Sequence, residues 1–119
     1  MTEGINSNIA NKPANGYSVG EKMPDITGKL QNIVDNGNLS KLGNTIFCEN
    51  ASGKLVAVIH NETAESGGVM ASIFESDKTY YVSDYNCDGA IDQVVITSQK
   101  GSAKYIADSD GNIATKKEM

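Results

Sequence analysis

The chain of 119 residues is long enough for about one domain, and its 39% hydrophobic content, with two Phe, five Tyr and no Trp, supplies only a modest core. A formal net charge of -5 with no cluster of Lys or Arg argues against nucleic acid and anionic membranes as partners, because both would repel the chain. The longest apolar stretch, Leu55 to Ile59, is far too short for a membrane-spanning helix or a signal-peptide core, so nothing here directs Sec export.

Residues 1–22 are rich in Asn, Gly and Ser and show no sustained apolar period, which predicts a polar arm or tail ahead of a single domain over residues 23–119. Within this arm, "SNIANKPANGYS" (Ser7 to Ser18) resembles the "SNIAN…GY" signature of bacterial flagellar rod and hook proteins. That family places the signature after a long N-terminal helix and matches it with a C-terminal helix, and this sequence indicates neither. The resemblance would imply an axial assembly subunit secreted without a Sec signal.

The next segment predicts one amphipathic helix over residues 24–35. Its apolar residues recur at i, i+4, i+7 and i+8 on one face: Ile26, Leu30, Ile33 and Val34. Pro24 suits the first helical position and Asp25 suits the positive N-terminal end of the helix, while Gly37 can end it. Gly28 lies inside this span, where a glycine costs about 1 kcal/mol relative to Ala.

From Asn44 onward the apolar period changes to two, and about seven short segments with this alternation are separated by turn sequences such as "NASG", "QKG" and "DSDG". Neighbouring segments are expected to form hairpins. The sequence therefore predicts an α+β or mainly β fold, in which an antiparallel β-meander is covered on one face by the N-terminal helix.

Alternation within "TYYVSD" and "QVVITS" assigns residues to the two faces of this sheet. Val82, Val94 and Ile96 are expected beneath the helix. Tyr81 is expected on the opposite, wetter face, where it is a candidate contact for a protein partner.

Three segments of the sheet region, residues 47–55, 81–91 and 105–113, share an aromatic residue, an acidic residue and a Gly. They predict that the same type of hairpin turn occurs three times. In it the aromatic side chain anchors the incoming strand, the acid binds turn amides, and Gly adopts a positive φ.

The stretch "DYNCDG", residues 84–89, carries the chemistry of a calcium loop. Its spacing matches D-x-[DN]-x-[DN]-G, because a hard cation needs six to eight oxygens and alternate side chains on a tightly wound loop converge on one point. The candidate ligands are the side chains at loop positions 1, 3, 5 and 9 and the carbonyl at position 7: Asp84, Asn86, Asp88, Asp92 and Ala90.

This stretch resembles the calcium loops of the EF-hand superfamily, and more closely the helix-less DxDxDG loops between strands in extracellular and adhesin-like bacterial proteins. It departs from the EF-hand at position 12, where Val95 replaces the bidentate Glu, and in its strand-like flanks. A plain hairpin with an Asp-Gly turn would need the same residue types. The absence of Lys and Arg between positions 79 and 99 leaves the carboxylates without a neutralising charge, which favours the metal hypothesis.

An enzymatic role is not expected. His60 is the only histidine, and a tight "NASG" hairpin would set it opposite Thr45 and set Cys48 opposite position 57, about 10 Å away along the sheet. No Cys–His dyad follows, and no nucleotide-binding or hydrolase motif is present. Cys48 and Cys87 form no CxxC motif, which leaves free thiols and one disulfide both open.

Two functional hypotheses follow. The first is a non-catalytic binding or assembly module with a calcium-stabilised hairpin. Without a Glu at position 12 the loop should bind calcium at about 0.1 to 1 mM, a concentration typical of external media, so an extracellular, virion or non-Sec exported protein is favoured over a cytoplasmic one.

The alternative hypothesis is a small acidic intracellular inhibitor or immunity-type protein that blocks a basic partner with a negative surface. That surface would comprise Asp84, Asp88, Asp92, Asp108 and Asp110. Carboxylates that converge on one point would favour a metal, whereas splayed carboxylates would favour a cationic partner.

Overall fold

A computed structural model describes residues 17–119, which form one α-helix, one turn of 3₁₀-helix and eight β-strands. In chain order they are α1 (Ile26–Asn36), β1 (Asn38–Leu42), β2 (Thr45–Glu49), β3 (Leu55–Asn61), the 3₁₀ turn (Ala64–Ser66), β4 (Val69–Phe74), β5 (Lys78–Asp84), β6 (Gln93–Ser98), β7 (Gly101–Ala107) and β8 (Ile113–Glu118). Most of the predicted arm, and most of the segment that resembles the flagellar signature, lie outside the described residues. No helix in the described part of the chain has the length and apolar character to cross a membrane.

The strands form a single antiparallel sheet in the order β1 to β8, each paired with the next along the chain. This confirms the predicted mainly β meander with one helix. The seven predicted strands correspond to β2 through β8. The eighth, β1, was not predicted, because its sequence "NLSKL" does not alternate and all five residues are exposed. It joins the sheet through backbone pairing with β2 alone.

Helix α1 begins at Ile26, two residues later than predicted, because Asp25 serves as its N-cap. The Asp25 carboxylate accepts a hydrogen bond of 3.0 Å from the Gly28 amide, one of the unpaired donors of the first turn. A Cβ on Gly28 would lie 2.6 Å from that carboxylate, which explains a glycine inside the helix. The helix ends at Asn36, and Gly37 follows in extended conformation, as expected.

The core lies between α1 and one face of the sheet, which we call the covered face. Apart from Ser83, the buried residues of β2 to β7 alternate along their strands and share this face: Cys48, Ala57, Ala71, Ile73, Tyr80, Val82, Val94, Ile96, Ala103 and Tyr105. Ile26 is buried with them, and Leu30, Ile33 and Val34 pack against the cluster. The predicted assignment of Val82, Val94 and Ile96 to this face is confirmed.

The opposite face, which we call the open face, carries none of the other buried residues of β2 to β7. Tyr81 lies on it and keeps 46% of its surface exposed, as predicted. Ser83 shares this face and yet is only 8% exposed. The open face is therefore the wetter one overall, although Ser83 itself is not wet.

Residues 17–22, the last part of the predicted arm, lie against the β8 edge of the sheet. The Gly20 amide donates to the Ile113 carbonyl at 2.8 Å, and Lys22 forms a β-bridge with Asn112. The Tyr17 ring meets the buried Tyr105 ring edge-on, with 5.7 Å between centroids. This short stretch stabilises the sheet edge through backbone bonds and aromatic packing.

Candidate metal centre

The candidate site lies in the connection between β5 and β6, residues 84–92, which we call the 84–92 loop. Asp84 is the last residue of β5. At the other end of the loop, the Asp92 amide donates to the Ser83 carbonyl and the Asp92 carbonyl accepts from the Ala107 amide, both at 2.9 Å. Asp92 is thus tied to β5 and to β7, and two of the candidate ligands are fixed by the sheet itself.

Asp84, Asp88 and Asp92 converge. One carboxylate oxygen from each lies within 4.8 Å of the others, with Asp84 and Asp92 half-buried and Asp88 exposed. Oxygens that each lie about 2.4 Å from a single calcium ion are at most about 4.8 Å apart. The three carboxylates are therefore close enough to share one hard cation.

Backbone amides hold the three carboxylates in place. Asp84 accepts from the Asp88 and Gly89 amides at 3.3 and 3.0 Å, and Asp92 accepts from the Tyr85 amide at 2.8 Å. Asp88 accepts from the Ala90 amide at 2.9 Å. These bonds compensate part of the repulsion among the carboxylates, because a charged acceptor makes a stronger hydrogen bond than a neutral one.

The ionised form of Asp88 is favoured by this network. The Ala90 amide, and with it the Asn86 side chain, lowers the pKa of the Asp88 carboxyl below its ordinary value. Asn86 therefore stabilises the Asp88 carboxylate through its side chain, and Ala90 donates its backbone amide to the same carboxylate. The carboxylate is charged at neutral pH, and the residue is exposed.

The loop winds tightly because two of its residues have positive φ, 58° at Cys87 and 88° at Gly89. The Cys87 thiol lies 3.4 Å from the Glu62 carbonyl on the β3–β4 connection. Cys87 and Cys48 are both free cysteines, one exposed and one buried, so they do not pair. Burial raises the pKa of the Cys48 thiol, which makes it a poor nucleophile.

Gly68, in the β3–β4 connection, packs against the backbone of the 84–92 loop. Its role was not predicted from the sequence. Gly68 is buried at φ 81°, and a Cβ there would overlap the Asp84 carbonyl oxygen and lie 2.7 Å from the Tyr85 Cα. Only glycine permits this close approach of two backbones. The adjacent pair Gly67 and Gly68 was the available signal, since two glycines together mark a special backbone path.

Asp108 and Asp110 lie apart from the three-aspartate cluster, in the β7–β8 turn. The Asp108 carboxylate accepts from the Asp110 and Asn112 amides at 2.9 and 3.0 Å, so it stabilises its own turn. Asp110 is exposed. The structure brings together three of the five aspartates of the predicted negative surface.

Cys48 and His60, the pair considered for a catalytic dyad, do not lie opposite each other. His60 lies opposite Thr45, and Cys48 lies opposite Ala57, in the predicted register. The His60 ring contacts the Thr45 hydroxyl at 3.0 Å and the Glu62 carboxylate at 3.1 Å. Both ring nitrogens therefore have partners other than the Cys48 thiol.

Comparison with known proteins gives no relative: no protein-family model matches the chain, and no curated protein matches it. The resemblance to helix-less calcium loops is thus confined to the local motif. The geometry of the 84–92 loop carries the functional interpretation.

Proposed function

We propose that the protein is a non-catalytic binding or assembly module whose 84–92 loop binds calcium. The observation that carries this proposal is the convergence of Asp84, Asp88 and Asp92 to within 4.8 Å at the end of the β5–β6 hairpin. Three carboxylates cost free energy when they lie this close without a cation, because backbone amides satisfy only some of their oxygens.

Calcium is the preferred ion for chemical reasons. The candidate ligands are all oxygen donors, which suit hard cations rather than zinc or copper. The loop has no bidentate Glu, and Val95 lies at that position on the open face of β6. Calcium accommodates an incomplete and irregular oxygen shell, whereas magnesium demands near-ideal octahedral geometry.

We place the protein in a calcium-rich setting. A loop with few ligands binds calcium at about 0.1 to 1 mM, so it fills only where calcium is plentiful. An extracellular, virion or exported location fits this affinity better than the cytoplasm does. Its partners are proposed to be proteins or further copies of the chain, and the net charge of -5 disfavours nucleic acid and anionic lipid.

Inhibition of a basic partner is the second candidate. It is favoured by one feature: the 84–92 loop and the β7–β8 turn, with Asp108 and Asp110, follow the ends of β5 and β7 and so lie at the same end of the antiparallel sheet. In that case Asp110 would contribute to binding as much as Asp88. Under the calcium proposal Asp110 contributes nothing to metal binding.

The test is a thermal melt of the full chain in about 5 mM calcium and in EDTA, with magnesium as a comparison. A ligand that binds only the folded state stabilises it by RT ln(1 + [L]/Kd), which at about ten times Kd is roughly 1.4 kcal/mol, or about 5 °C in Tm. Calcium should raise Tm by this amount and magnesium by less.

The matched variants are Asp88→Asn and Asp110→Asn. Each removes one charge from an exposed Asp in an Asp-Gly turn. Asp88→Asn should lose the calcium response and lose only a little Tm in EDTA, because Asn retains an acceptor for the Ala90 amide but not the charge. Asp110→Asn should respond like the unmodified chain. A Tm that is the same in calcium and in EDTA would overturn the proposal.

A further inference from the structure

Among the described residues, 17–119, no helix packs on the open face as α1 packs on the covered face. The open face carries large apolar side chains that are exposed or half-buried: Leu42, Phe47, Val58, Met70, Phe74, Tyr81, Val95 and Ile106. Met70 is 42% exposed, Tyr81 46% and Leu42 75%. Exposed apolar side chains grouped on one sheet face are typical of an interaction surface, because a sheet face is stable when another layer covers it.

We propose that the open face packs on the open face of a second copy of the chain, which closes the single sheet into a two-layer β-sandwich dimer. The inference rests on the assembly role proposed above and names its partner and surface. Eight strands spaced by about 4.8 Å, each about six residues long at about 3.3 Å per residue, give a face of roughly 34 by 20 Å, or about 700 Å². That approaches the roughly 800 Å² per partner of a stable interface.

The ladder registers define how two copies fit. One row crosses the middle of the open face and contains Phe47, Val58, Ser72, Tyr81, Val95, Lys104 and Lys117. A twofold axis parallel to the strands, between β4 and β5, superposes β4 on β5 and β3 on β6 of the second copy. Tyr81 then meets Ser72, Val58 meets Val95 and Phe47 meets Lys104, so the two aromatic side chains of the row do not face each other.

Charge selects the same arrangement. Lys104 and Lys117 lie directly opposite each other in the β7–β8 ladder, where like charges repel, and neither makes an ion pair with another described residue. The twofold axis superposes β7 on β2 of the second copy, whose exposed Glu49 also has no ion pair with a described residue. Lys104 of each copy thus lies over Phe47 of the other, and Glu49 is two residues further along the same strand, about 7 Å away. An axis perpendicular to the strands would instead stack lysine on lysine.

Sedimentation equilibrium of the full chain tests the dimer. The unmodified chain should sediment as a dimer at micromolar concentration. Tyr81→Lys and Val95→Lys should each weaken the dimer by about a hundredfold or more, because both place a charge at the centre of the interface. Lys100→Glu, in the exposed β6–β7 turn, is the control and should leave the dimer intact. Far-UV circular dichroism confirms that each variant is folded.

A charge exchange tests the register. Glu49→Lys alone and Lys104→Glu alone should each weaken the dimer by about tenfold, and the double variant should recover most of the loss, because it restores the opposite pair. If the double variant is weaker than both single ones, the proposed axis is wrong. Dimerisation that is abolished by Ser40→Pro and untouched by Tyr81→Lys would assign the contact to the β1 edge and overturn the proposal.

The two proposals can fail separately when sedimentation and melting are both measured in calcium and in EDTA. A chain that stays monomeric at about 100 µM, and whose Tm still rises with calcium, would overturn the dimer and leave the calcium loop standing. A dimer whose Tm ignores calcium would overturn the calcium proposal alone.

Discussion

The β5–β6 and β7–β8 hairpins carry similar sequences, "YVSDYNCDGAI" and "YIADSDGNI", and yet their aspartates do different things. In the second hairpin, the Asp108 carboxylate accepts hydrogen bonds from two amides of its own short turn. In the first, the longer loop brings three carboxylates together. The shared motif defines a turn, and of the two hairpins only the longer loop also gathers three carboxylates.

The difference arises from backbone conformation. Between Asp84 and β6 the chain passes through two left-handed residues, Cys87 and Gly89, whereas the β7–β8 turn has one, Gly111. The second left-handed residue turns the chain so that Asp88 lies near Asp84. Asp92 then completes the group of three carboxylates. Gly68 supports the first loop from the neighbouring connection, and a Cβ on Gly111 would meet nothing within 4 Å.

The aromatic residues of the two hairpins also differ. Tyr105 lies on the covered face with no exposed surface, and Tyr81 lies on the open face with 46% exposed. Their ladder partners show why, because Tyr105 pairs with the buried Val94 and Tyr81 with Val95, its neighbour on the other face. The predicted anchoring role holds for Tyr105 and is wrong for Tyr81.

The largest expected effect separates these two tyrosines. Tyr105→Ala should lower the free energy of unfolding by about 3 to 5 kcal/mol, as truncation of a buried aromatic residue does. Tyr81→Ala should cost less than about 1 kcal/mol when measured well below the concentration at which the proposed dimer would form. Urea denaturation of both variants provides the comparison, and equal losses would contradict the assignment of the two faces.

The second effect separates the two glycines. Gly68→Ala should cost about 3 kcal/mol, because the new Cβ overlaps the backbone at Asp84 and Tyr85 and also strains the left-handed conformation. Gly111→Ala should cost about 1 to 2 kcal/mol from backbone strain alone. Gly68→Ala should also weaken calcium binding. A Gly68→Ala variant as stable as Gly111→Ala would show that the loop does not rest on the β3–β4 connection.

The third effect concerns the turn carboxylate. Asp108→Ala leaves two turn amides without their acceptor and should cost about 1 kcal/mol, as the loss of a capping side chain does. The calcium-induced rise in Tm should be unchanged in this variant. If the rise disappears, the metal site extends into the β7–β8 turn and the contrast between the hairpins fails.

The smallest effect is a pH dependence. The folded-state pKa of Asp88 is lowered, so its carboxylate contributes stability above the unfolded pKa of about 3.9, and this contribution is lost as the pH falls through the folded value. In EDTA, the unmodified chain should therefore be slightly more stable than Asp88→Asn at neutral pH. This advantage should shrink below about pH 4. Melting curves collected across that range measure it, and a difference that does not vary with pH would contradict the shift.

Much of the fold could be predicted from local patterns. Alternation assigned Val82, Val94 and Ile96 to the covered face, and the 3.6-residue period found the helix, because burial imposes these periods on the sequence. The repeated hairpin was correct in its positive-φ glycines, Gly53 and two others. In the first hairpin, however, the turn amides bind Asn50 rather than an acid.

The rest depends on contacts between distant parts of the chain. Strand β1 has no burial pattern because it only extends the backbone ladder. The approach of Gly68 to Asp84, and the pairing of residues 20–22 with β8, join segments far apart in sequence. The separation of Asp108 from the cluster follows from loop conformation, which the same residue types do not encode.

The central claim, that the 84–92 loop binds calcium and the β7–β8 turn does not, is tested most directly by calcium titration of the ¹⁵N-labelled full chain. We predict saturable shifts of the amides that hold the carboxylates, those of Asp88, Gly89 and Ala90, with a midpoint of about 0.1 to 1 mM. The amides of Asp110 and Asn112 should not move. Unchanged spectra, or equal and non-saturating shifts in both loops, would contradict the account.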